Sequence, residues 1–433
     1  MKKILAMSLT LFPILAVLAS RPLDGNAKEE KIRSLAKQIE PELISIRRDL
    51  HAHPELGLQE KRTSAIVAVY LRKLGCEVRT GIGVTGVLGI LTGGKPGPVV
   101  AMRGDMDCLP ITEETGLPFA SMEKTVLDGR EVGLMHACGH DIHTAVLLGV
   151  AKVLAGMKED LAGTVLFVAQ PGEECCMGAK RMIEDGAFED YRPEAFFAFH
   201  VDDALKVGKI GYTSGYSSAN ADGFSLVVKS EGCHGAYPSS CVDPIVVGAR
   251  IVLDLQVMLA REIDVNRNAV ITVGKFHAGT APNIIPKTAE LGATVRTYGE
   301  EQRLLVKGKV ERLIAGACAE AGAEYDLNYS IGIPSCYDDP KLLAEILPAA
   351  SRVLGGPTAL VEYPPETSMG GEDFAFFSKI APAVMLNLGV VPAHLESTMV
   401  HSPTFLADEA SIAVGVELMA EIITDYLNRH SGK

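Results

Sequence analysis

Residues 165–174 have the sequence Val-Leu-Phe-Val-Ala-Gln-Pro-Gly-Glu-Glu, an apolar run that leads directly into two adjacent carboxylates. A short apolar run before Pro-Gly is typical of a buried strand that ends at a turn. Similar runs lie at 99–103 and 195–199, and a helical pattern spans 144–157. This alternation predicts an α/β domain with a mixed sheet and helices on both faces.

The pattern changes near Ala221. From there to residue 333 the predicted elements follow the order β-α-β-β-α-β, which is typical of a ferredoxin-like α+β unit. The α/β pattern then returns with a strand at 383–388 and a last amphipathic helix at 408–427. We therefore predict that 221–333 is inserted into a larger domain made of 28–220 and 334–433.

The bulk composition excludes some classes of protein. The chain has 433 residues, 47% hydrophobic and 22% charged, which fits a folded globular protein. A single core usually stops growing at roughly 250–300 residues, which agrees with two domains. The formal net charge of -13 opposes binding to nucleic acid and to anionic lipid, so we expect no nucleic-acid partner.

The first residues resemble a secretory signal peptide. Lys2 and Lys3 supply the positive start, residues 4–18 the apolar stretch, and 16–20 or 25–27 a small-residue cleavage region. The alternative is an uncleaved anchor, but the stretch contains Pro13 and is shorter than the roughly 20 apolar residues that span a bilayer. We expect residues 1–27 to be a signal peptide, the mature protein to be periplasmic or extracellular, and no stable membrane association after cleavage.

A compact group of metal-ligand types lies at 135–141, Met-His-Ala-Cys-Gly-His-Asp. Cys138 and His140 are the prime candidates, because thiolate and imidazole suit zinc and other borderline metals. The alternative is a buried free cysteine beside loop histidines. The nine cysteines are an odd number at irregular spacing, which argues against a disulfide framework and leaves at least one thiol for other work.

Further ligand types follow the predicted strands. Asp105 and Asp107 come after the strand at 99–103, Glu173 and Glu174 after 165–169, and His200 after 195–199. The carboxyl ends of such strands are where α/β sheets place their sites. In a neighbouring carboxylate pair, one group can coordinate a metal while the other removes a proton from activated water. The alternative for each is a solvated loop charge.

Taken together, these residues resemble the M20 metallopeptidase family, and within it the aminoacylase-like amidohydrolases that include hippurate hydrolases and plant auxin-conjugate hydrolases. The resemblance spans nearly all of the mature chain. Its motifs are Leu50-His51-Ala52-His53-Pro54-Glu55, Met102-Arg103-Gly104-Asp105-Met106-Asp107, 135–144, 170–174, His234-Gly235-Ala236-Tyr237-Pro238, Asn283-Ile284-Ile285-Pro286, Gly371-Glu372-Asp373-Phe374 and His401-Ser402-Pro403.

The resemblance implies a site that holds two metal ions. Its ligands would be Cys138, His140, Glu174, His200 and His401, with Glu173 as the general base. Asp105 and Asp107 would orient ligands, and His51 and His53 would make structural hydrogen bonds. Two divalent ions per chain are implied, with zinc favoured by ligand softness and manganese, cobalt or nickel as alternatives.

The inserted unit is implied to be a lid and dimerisation domain of a homodimer. His234 would reach a neighbouring subunit's site and stabilise the developing oxyanion. Asn283 and Arg296 look like substrate-side groups, since the guanidinium fork of an arginine suits a carboxylate. The alternative for Arg296 is a solvated charge on a strand.

The chain departs from the family pattern at several positions. Gly172 stands where alanine is usual, and Cys175 and Cys176 replace a glycine-rich sequence. Cys108 follows Asp107 and Cys233 precedes His234. An oxidising compartment could pair some of these thiols.

The reaction that we predict is hydrolysis of an N-acyl amino acid or a small N-capped dipeptide by metal-activated water. Glu173 takes a proton from that water and returns it to the leaving amine, and His234 and a metal take up the oxyanion charge. The alternatives are a metallo-carboxypeptidase or dipeptidase on the same fold, and a catalytically silent metal- or ligand-binding relative.

Overall fold

The computed structural model describes residues 27–432, so the predicted signal peptide at 1–27 lies outside the described residues apart from Ala27. The α-helices are α1 (Ala27–Ala52), α2 (Lys61–Lys73), α3 (His140–Ala155), α4 (Glu173–Cys176), α5 (Gly178–Glu184), α6 (Pro244–Glu262), α7 (Gly299–Ala321), α8 (Pro340–Val353) and α9 (Ala410–His430). Among these described helices, none is both long enough and apolar enough to cross a bilayer.

The strands of the described chain fall into one large sheet, one medium sheet and several two-stranded ladders. They are β1 (Glu77–Ile82), β2 (Gly86–Thr92), β3 (Lys95–Asp105), β4 (Lys124–Leu127), β5 (Arg130–Gly133), β6 (Ala162–Gln170), β7 (Ala195–Lys206), β8 (Ile210–Thr213), β9 (Gly215–Tyr216), β10 (Asn220–Lys229), β11 (Cys233–His234), β12 (Val270–Ala278), β13 (Ile284–Ile285), β14 (Thr288–Thr297), β15 (Glu324–Ile333), β16 (Tyr337–Asp338), β17 (Leu360–Tyr363) and β18 (Ala383–Val391).

The large sheet has eight strands in the order β1-β2-β6-β3-β7-β18-β8-β17. Strands β6, β3, β7 and β18 are parallel to their neighbours within this run, whereas β2 pairs antiparallel with β1 and β6. All nine residues of β6 are buried. Its alternate side chains enter two cores, Val165 and Phe167 on the side of α1, α3 and α9, and Leu166 and Val168 on the side of α5. The predicted mixed sheet with helices on both faces is confirmed.

The medium sheet is antiparallel, with the order β12-β14-β10-β15. Its strands alternate with α6 and α7 along the chain as β-α-β-β-α-β, and this strand order is the ferredoxin-like one. Leu226 of β10, Ile251 of α6 and Val310 of α7 are fully buried in a third core between the sheet and the two helices. We call this unit, which runs from β10 to β15, the lid.

Two boundaries near the predicted ligands differ from the sequence-based expectation. Helix α3 begins at His140 rather than at residue 144, since Gly139 adopts a left-handed backbone with φ of 77° and starts the helix there. A Cβ atom at Gly139 would lie 2.7 Å from a methyl carbon of Val201, so glycine is required at this close approach. Strand β7 continues past residue 199 to Lys206 because it stays paired with β18. His140 and His200 therefore lie in regular elements.

Candidate metal centre

The five predicted ligands come together at one edge of the large sheet. Glu174 follows the end of β6 through a left-handed Gly172, and His200 lies in β7. Cys138 and His140 flank the start of α3, and His401 lies on the loop before α9. His401 itself has a positive φ of 60°. The sheet thus collects side chains from positions that are up to 263 residues apart in sequence.

The ligand atoms form two groups that share one thiol. Cys138 lies with His140 and His200 in one group and with Glu174 and His401 in the other, with all atoms of each group within 4.8 Å of one another. The Sγ atom of Cys138 is 3.4 Å from Nε2 of His200 and 3.3 Å from Nε2 of His401. Two three-ligand groups joined at a thiol are the arrangement expected for two adjacent cations.

The buried donor atoms of this cluster are suited to binding a metal ion. Among the described residues, Nε2 of His140 and Oε1 of Glu174 are buried and make no hydrogen bond, although Oε1 of Glu174 lies 3.2 Å from Nε2 of His401. Burying such atoms without a hydrogen bond is costly, and a cation bound between them would offset that cost, so these residues fit a metal ion. Burial, the largest influence, and nearby carboxylates raise the pKa of the Cys138 thiol, and a cation would favour its thiolate.

In each histidine of the cluster, the hydrogen bonds of the ring nitrogens determine which nitrogen is available to a metal ion. Nδ1 of His200 donates to the carbonyl oxygen of Val201 at 2.7 Å, which leaves Nε2 as the lone-pair nitrogen. Nδ1 of His140 lies 3.2 Å from Oδ1 of Asp107, with the same consequence. In contrast, His143 is engaged at both nitrogens, by Asp105 at Nδ1 and by the backbone N–H of Val201 at Nε2. His143 is therefore unsuited to be a ligand.

Asp107 contacts two of the predicted ligands, whereas Asp105 hydrogen-bonds to His143 and pairs with Arg103. One carboxylate oxygen of Asp107 contacts Nδ1 of His140, and the other accepts a hydrogen bond from the backbone N–H of Glu174 at 3.0 Å. Asp105 holds His143, which in turn supports β7 next to His200. His51 also makes structural hydrogen bonds, to Asp141 at 2.9 Å and Glu113 at 3.1 Å, as predicted.

A buried ionic network beneath Glu173 was not predicted. The fully buried Arg103 contacts Asp105 at 2.7 Å, Glu372 at 2.8 Å and the side-chain oxygen of Gln170 at 2.9 Å. Gln170 then donates to Asp373 at 2.6 Å. The backbone N–H of Asp373 lies 3.4 Å from Oε1 of Glu173. Arg103 thus links β3 to the segment that packs against Glu173. In the sequence, Arg103 was marked only by its position in one motif of the family resemblance.

Residues 101–425 match the model of peptidase family M20/M25/M40, which is more than half of the chain. The chain belongs to the M20 peptidase family. This M20 chain is 36% identical over 387 residues to the N-acetylcysteine deacetylase of Bacillus subtilis, covering 89% of the chain and 97% of the relative. It is 34% identical over 407 residues to thermostable carboxypeptidase 1 of Saccharolobus solfataricus, covering 92% and 99%.

A solved structure extends the likeness to three dimensions. The YXEP protein of Bacillus subtilis, a dinuclear metal binding peptidase from the M20 family, matches the M20 chain with a TM-score of 0.76 and 34% identity. The match covers 90% of this chain and 99% of that protein. The M20 chain is thus a metal-dependent amidohydrolase, and its fold is that of a dinuclear metal-binding peptidase.

The two adjacent glutamates of the M20 chain have opposite electrostatic environments. Burial, with Glu372 and Asp373 nearby, raises the pKa of Glu173 well above its usual value. Burial also opposes ionisation of Glu174, but His401 and His140 outweigh it and lower the pKa of Glu174. Glu174 lies 3.2 Å from Nε2 of His401, whereas Glu173 is grouped with His140 and Glu174 on one side and with Glu372 and Asp373 on the other.

The predicted lid residues lie away from this cluster within one chain. His234 and Asn283 are exposed and line a lid cavity of about 890 Å³. The side chain of His234 contacts its own loop, at Ala236 and Tyr237, and its backbone pairs with Ile284, so His234 contacts none of the five ligand candidates among the described residues. Arg296 is half-buried in β14, where its backbone pairs with Ala221 and Val270. The structure thus gathers the five ligands and Glu173, but not the three lid residues.

The cysteines of the M20 chain are partly paired. Two local disulfides join Cys175 to Cys176 and Cys233 to Cys241, and three of these four are cysteines that an oxidising compartment was expected to be able to pair. Both pairs are close in sequence, at separations of 1 and 8, so they form where the fold already holds the two cysteines together. Five cysteines, including Cys138, are free and buried.

Proposed function

We propose that this protein hydrolyses the amide bond of N-acyl amino acids or small N-capped dipeptides. The observation that carries the proposal is the convergence of Cys138, His140, Glu174, His200 and His401 into two groups that share a thiol, with Glu173 beside them. The relative that deacetylates N-acetylcysteine supports this class of substrate. A cavity of about 290 Å³ beside His200, lined in part by Thr213, Ser217 and Asn387, provides room for part of such a substrate.

The five ligands would hold two divalent ions. Zinc is our first choice, because a thiolate and three imidazoles suit it, and manganese, cobalt or nickel are alternatives. When bound, the ions supply the positive charge that lowers the pKa of water and polarises a carbonyl. Asp107 would keep His140 and Glu174 in position, because its two oxygens contact both residues.

Glu173 is proposed to move the proton. Its carboxylate is not required by either three-ligand group that contains Cys138, and it lies within 4.8 Å of ligand atoms of His140 and Glu174. Bound cations would favour the ionised form of Glu173, and from this position the carboxylate would accept a proton from the attacking water and deliver it to the nitrogen of the leaving amine. The Arg103 network would fix the segment at Asp373 whose backbone N–H lies near Glu173.

His234 is proposed to stabilise the oxyanion in the site of a second subunit. The backbone N–H of Ala236 donates to Nδ1 of His234 at 3.0 Å, so a neutral His234 carries its proton on Nε2. That N–H is then free to donate to an oxyanion, and the side chain is exposed rather than directed into its own chain's cluster. Asn283 and Arg296 would contact the substrate, Arg296 through a carboxylate.

The lid also carries a surface that supports the proposed homodimer. Val246, Leu253 and Val257 are 63%, 67% and 60% exposed on α6, at spacings that place them along one side of the helix. Strand β12 is an edge of the lid sheet and pairs only with β14 among the described strands. An exposed apolar row beside an unpaired strand edge is suited to association with a second copy.

Mixing two inactive variants tests action across subunits. A His234→Ala chain and a Glu173→Gln chain should each be nearly inactive alone. In mixed dimers one of the two sites combines an intact Glu173 with an intact partner histidine, so activity should return to as much as half of the wild-type activity per mixed dimer. The measurement is turnover after co-refolding, with heterodimer quantified by differently tagged chains. An inactive mixture that contains heterodimer would contradict action in trans.

A substrate panel distinguishes the proposed activity from its closest alternative. We expect kcat/KM for N-acetyl and other N-acyl amino acids to exceed that for free dipeptides by at least tenfold. A carboxypeptidase or dipeptidase would show the reverse preference. One relative of the chain is named a carboxypeptidase. Hydrolysis of neither class under any added divalent metal would favour a silent binding protein, for which an intact Glu173 has no chemical use.

We also propose that the protein is exported. The support is the sequence of residues 2–18, with two lysines followed by an apolar stretch, together with small residues near 20 and 27. Sequencing of the native N-terminus should therefore start near Ser20 or Lys28 in a protein recovered outside the cytoplasm. Intact Met1 on a cytosolic protein would contradict the proposal.

A further inference from the structure

The loop that carries His234 is closed by a disulfide. Cys233 precedes His234 directly, and its disulfide partner Cys241 lies eight residues later, just before Asp243 caps α6. Between the two cysteines the chain is exposed from His234 to Ser240. The crosslink therefore ties the histidine to the start of a well-packed helix, whose Ile251 and Leu255 are fully buried.

The other contacts that hold this loop are few. Strand β11 consists of two residues, which pair with Ile284 and Ile285. The backbone N–H of Gly235 donates to the carbonyl oxygen of Asn283 at 2.8 Å, and that of Tyr237 donates to His234 at 2.9 Å. Because a two-residue ladder on an exposed loop is weak, a covalent link contributes a large share of the constraint on the backbone at His234.

We propose that Cys233 and Cys241 are positioning residues for catalysis, and that their disulfide holds His234 in the orientation in which it donates to the oxyanion. The inference rests on the proposed role of His234. Oxyanion donors act through preorganisation, so a donor on a loose loop loses stabilisation even when the side chain is chemically intact.

The same arrangement makes the activity depend on the redox state of the loop. A dithiol reductant such as dithiothreitol would break the S–S bond and deliver two electrons and two protons, giving two cysteine thiols and one oxidised, cyclic reductant. Both cysteines are partly exposed, which allows a thiolate to attack. An oxidising compartment would keep the link closed, in agreement with the proposed export.

A double-mutant cycle tests the inference. Cys233→Ser/Cys241→Ser is made in the wild-type chain and in the His234→Ala chain, with Ser239→Ala as the matched control in the same exposed loop. In the wild-type background we expect kcat for an N-acetyl amino acid to fall by roughly 10- to 100-fold. In the His234→Ala background the same change should alter kcat less than twofold, because the residue that it positions is gone. Ser239→Ala should behave as wild type.

The controls separate positioning from general damage. Metal content and thermal melting of each variant are measured, and the Cys233→Ser/Cys241→Ser chain is mixed with a Glu173→Gln chain that retains its clamped loop. Recovered activity in that mixture shows that the cysteine variant has an intact metal centre and lacks only the partner's loop. Dithiothreitol should lower the activity of the wild type more than that of the serine variant. The loss in the serine variant measures the effect of the reductant apart from the Cys233–Cys241 link, including reduction of Cys175–Cys176.

Two results would overturn the inference. Unchanged kcat in the serine variant would show that the link does not position His234. An equal fold loss in both backgrounds would show that the link acts on the structure as a whole and not through His234. In either case a wild-type enzyme that cleaves N-acyl amino acids leaves the proposed function intact, whereas a wild-type chain inactive on every amide would refute the function itself.

Discussion

Replacing Glu173 with glutamine is expected to leave a site that is assembled but idle. The change keeps the size of the side chain and removes its basicity. Turnover should fall by roughly 10²- to 10⁴-fold, the range typical of losing a general base. Metal content and KM should stay near their wild-type values, because neither three-ligand group around Cys138 uses Glu173. Elemental analysis and steady-state kinetics on the same preparation measure both properties.

Glu174→Gln is the matched control, since it makes the same chemical change one residue later. Glu174 lies 3.2 Å from Nε2 of His401 and shares a ligand group with Cys138. Its replacement should weaken or lose one metal, and the lost activity should be partly restored by raising the metal concentration. No metal concentration should rescue Glu173→Gln. If Glu173→Gln is the variant that loses metal, or if it retains near-normal turnover, the roles of the two residues must be reassigned.

Much of the fold followed from local patterns in the sequence. The apolar run at 165–169 predicted a buried strand, and the structure places it in β6, an inner strand of a sheet packed on both faces. The β-α-β-β-α-β order of the lid was predictable for the same reason, because each element is long and strongly patterned. The start of α3 at His140 was missed, since it is set by a left-handed glycine that packs against Val201, a contact between distant parts of the chain.

The site was predictable to different degrees. Cys138 and Glu174 were visible as ligand types near strand ends or a helix start, but His401 resembled any loop histidine and was selected only through the family resemblance. The Arg103 network depends on contacts between residues up to 269 apart in sequence, which no local pattern encodes. Whether His234 acts in the site of a second subunit, as we propose, would likewise depend on the assembly and not on the chain's own contacts.

Removal of the metal is expected to have the largest effect of all, a complete loss of turnover. Without the ions, the buried Nε2 of His140 and Oε1 of Glu174 make no hydrogen bond within the described chain, and the Cys138 thiol has no cation to favour its thiolate. Adding divalent metal back should restore activity, and comparison of zinc with manganese, cobalt and nickel identifies the preferred ion. Cys138→Ser should impair both ligand groups at once, because both contain Cys138.

The most direct test is to measure metal content and hydrolysis of an N-acetyl amino acid together, while a chelated sample is titrated with metal. We predict no turnover in the metal-free protein and a rise in activity that reaches its plateau at about two ions per chain, as in other two-metal hydrolases. Full turnover by rigorously metal-free protein would contradict the account.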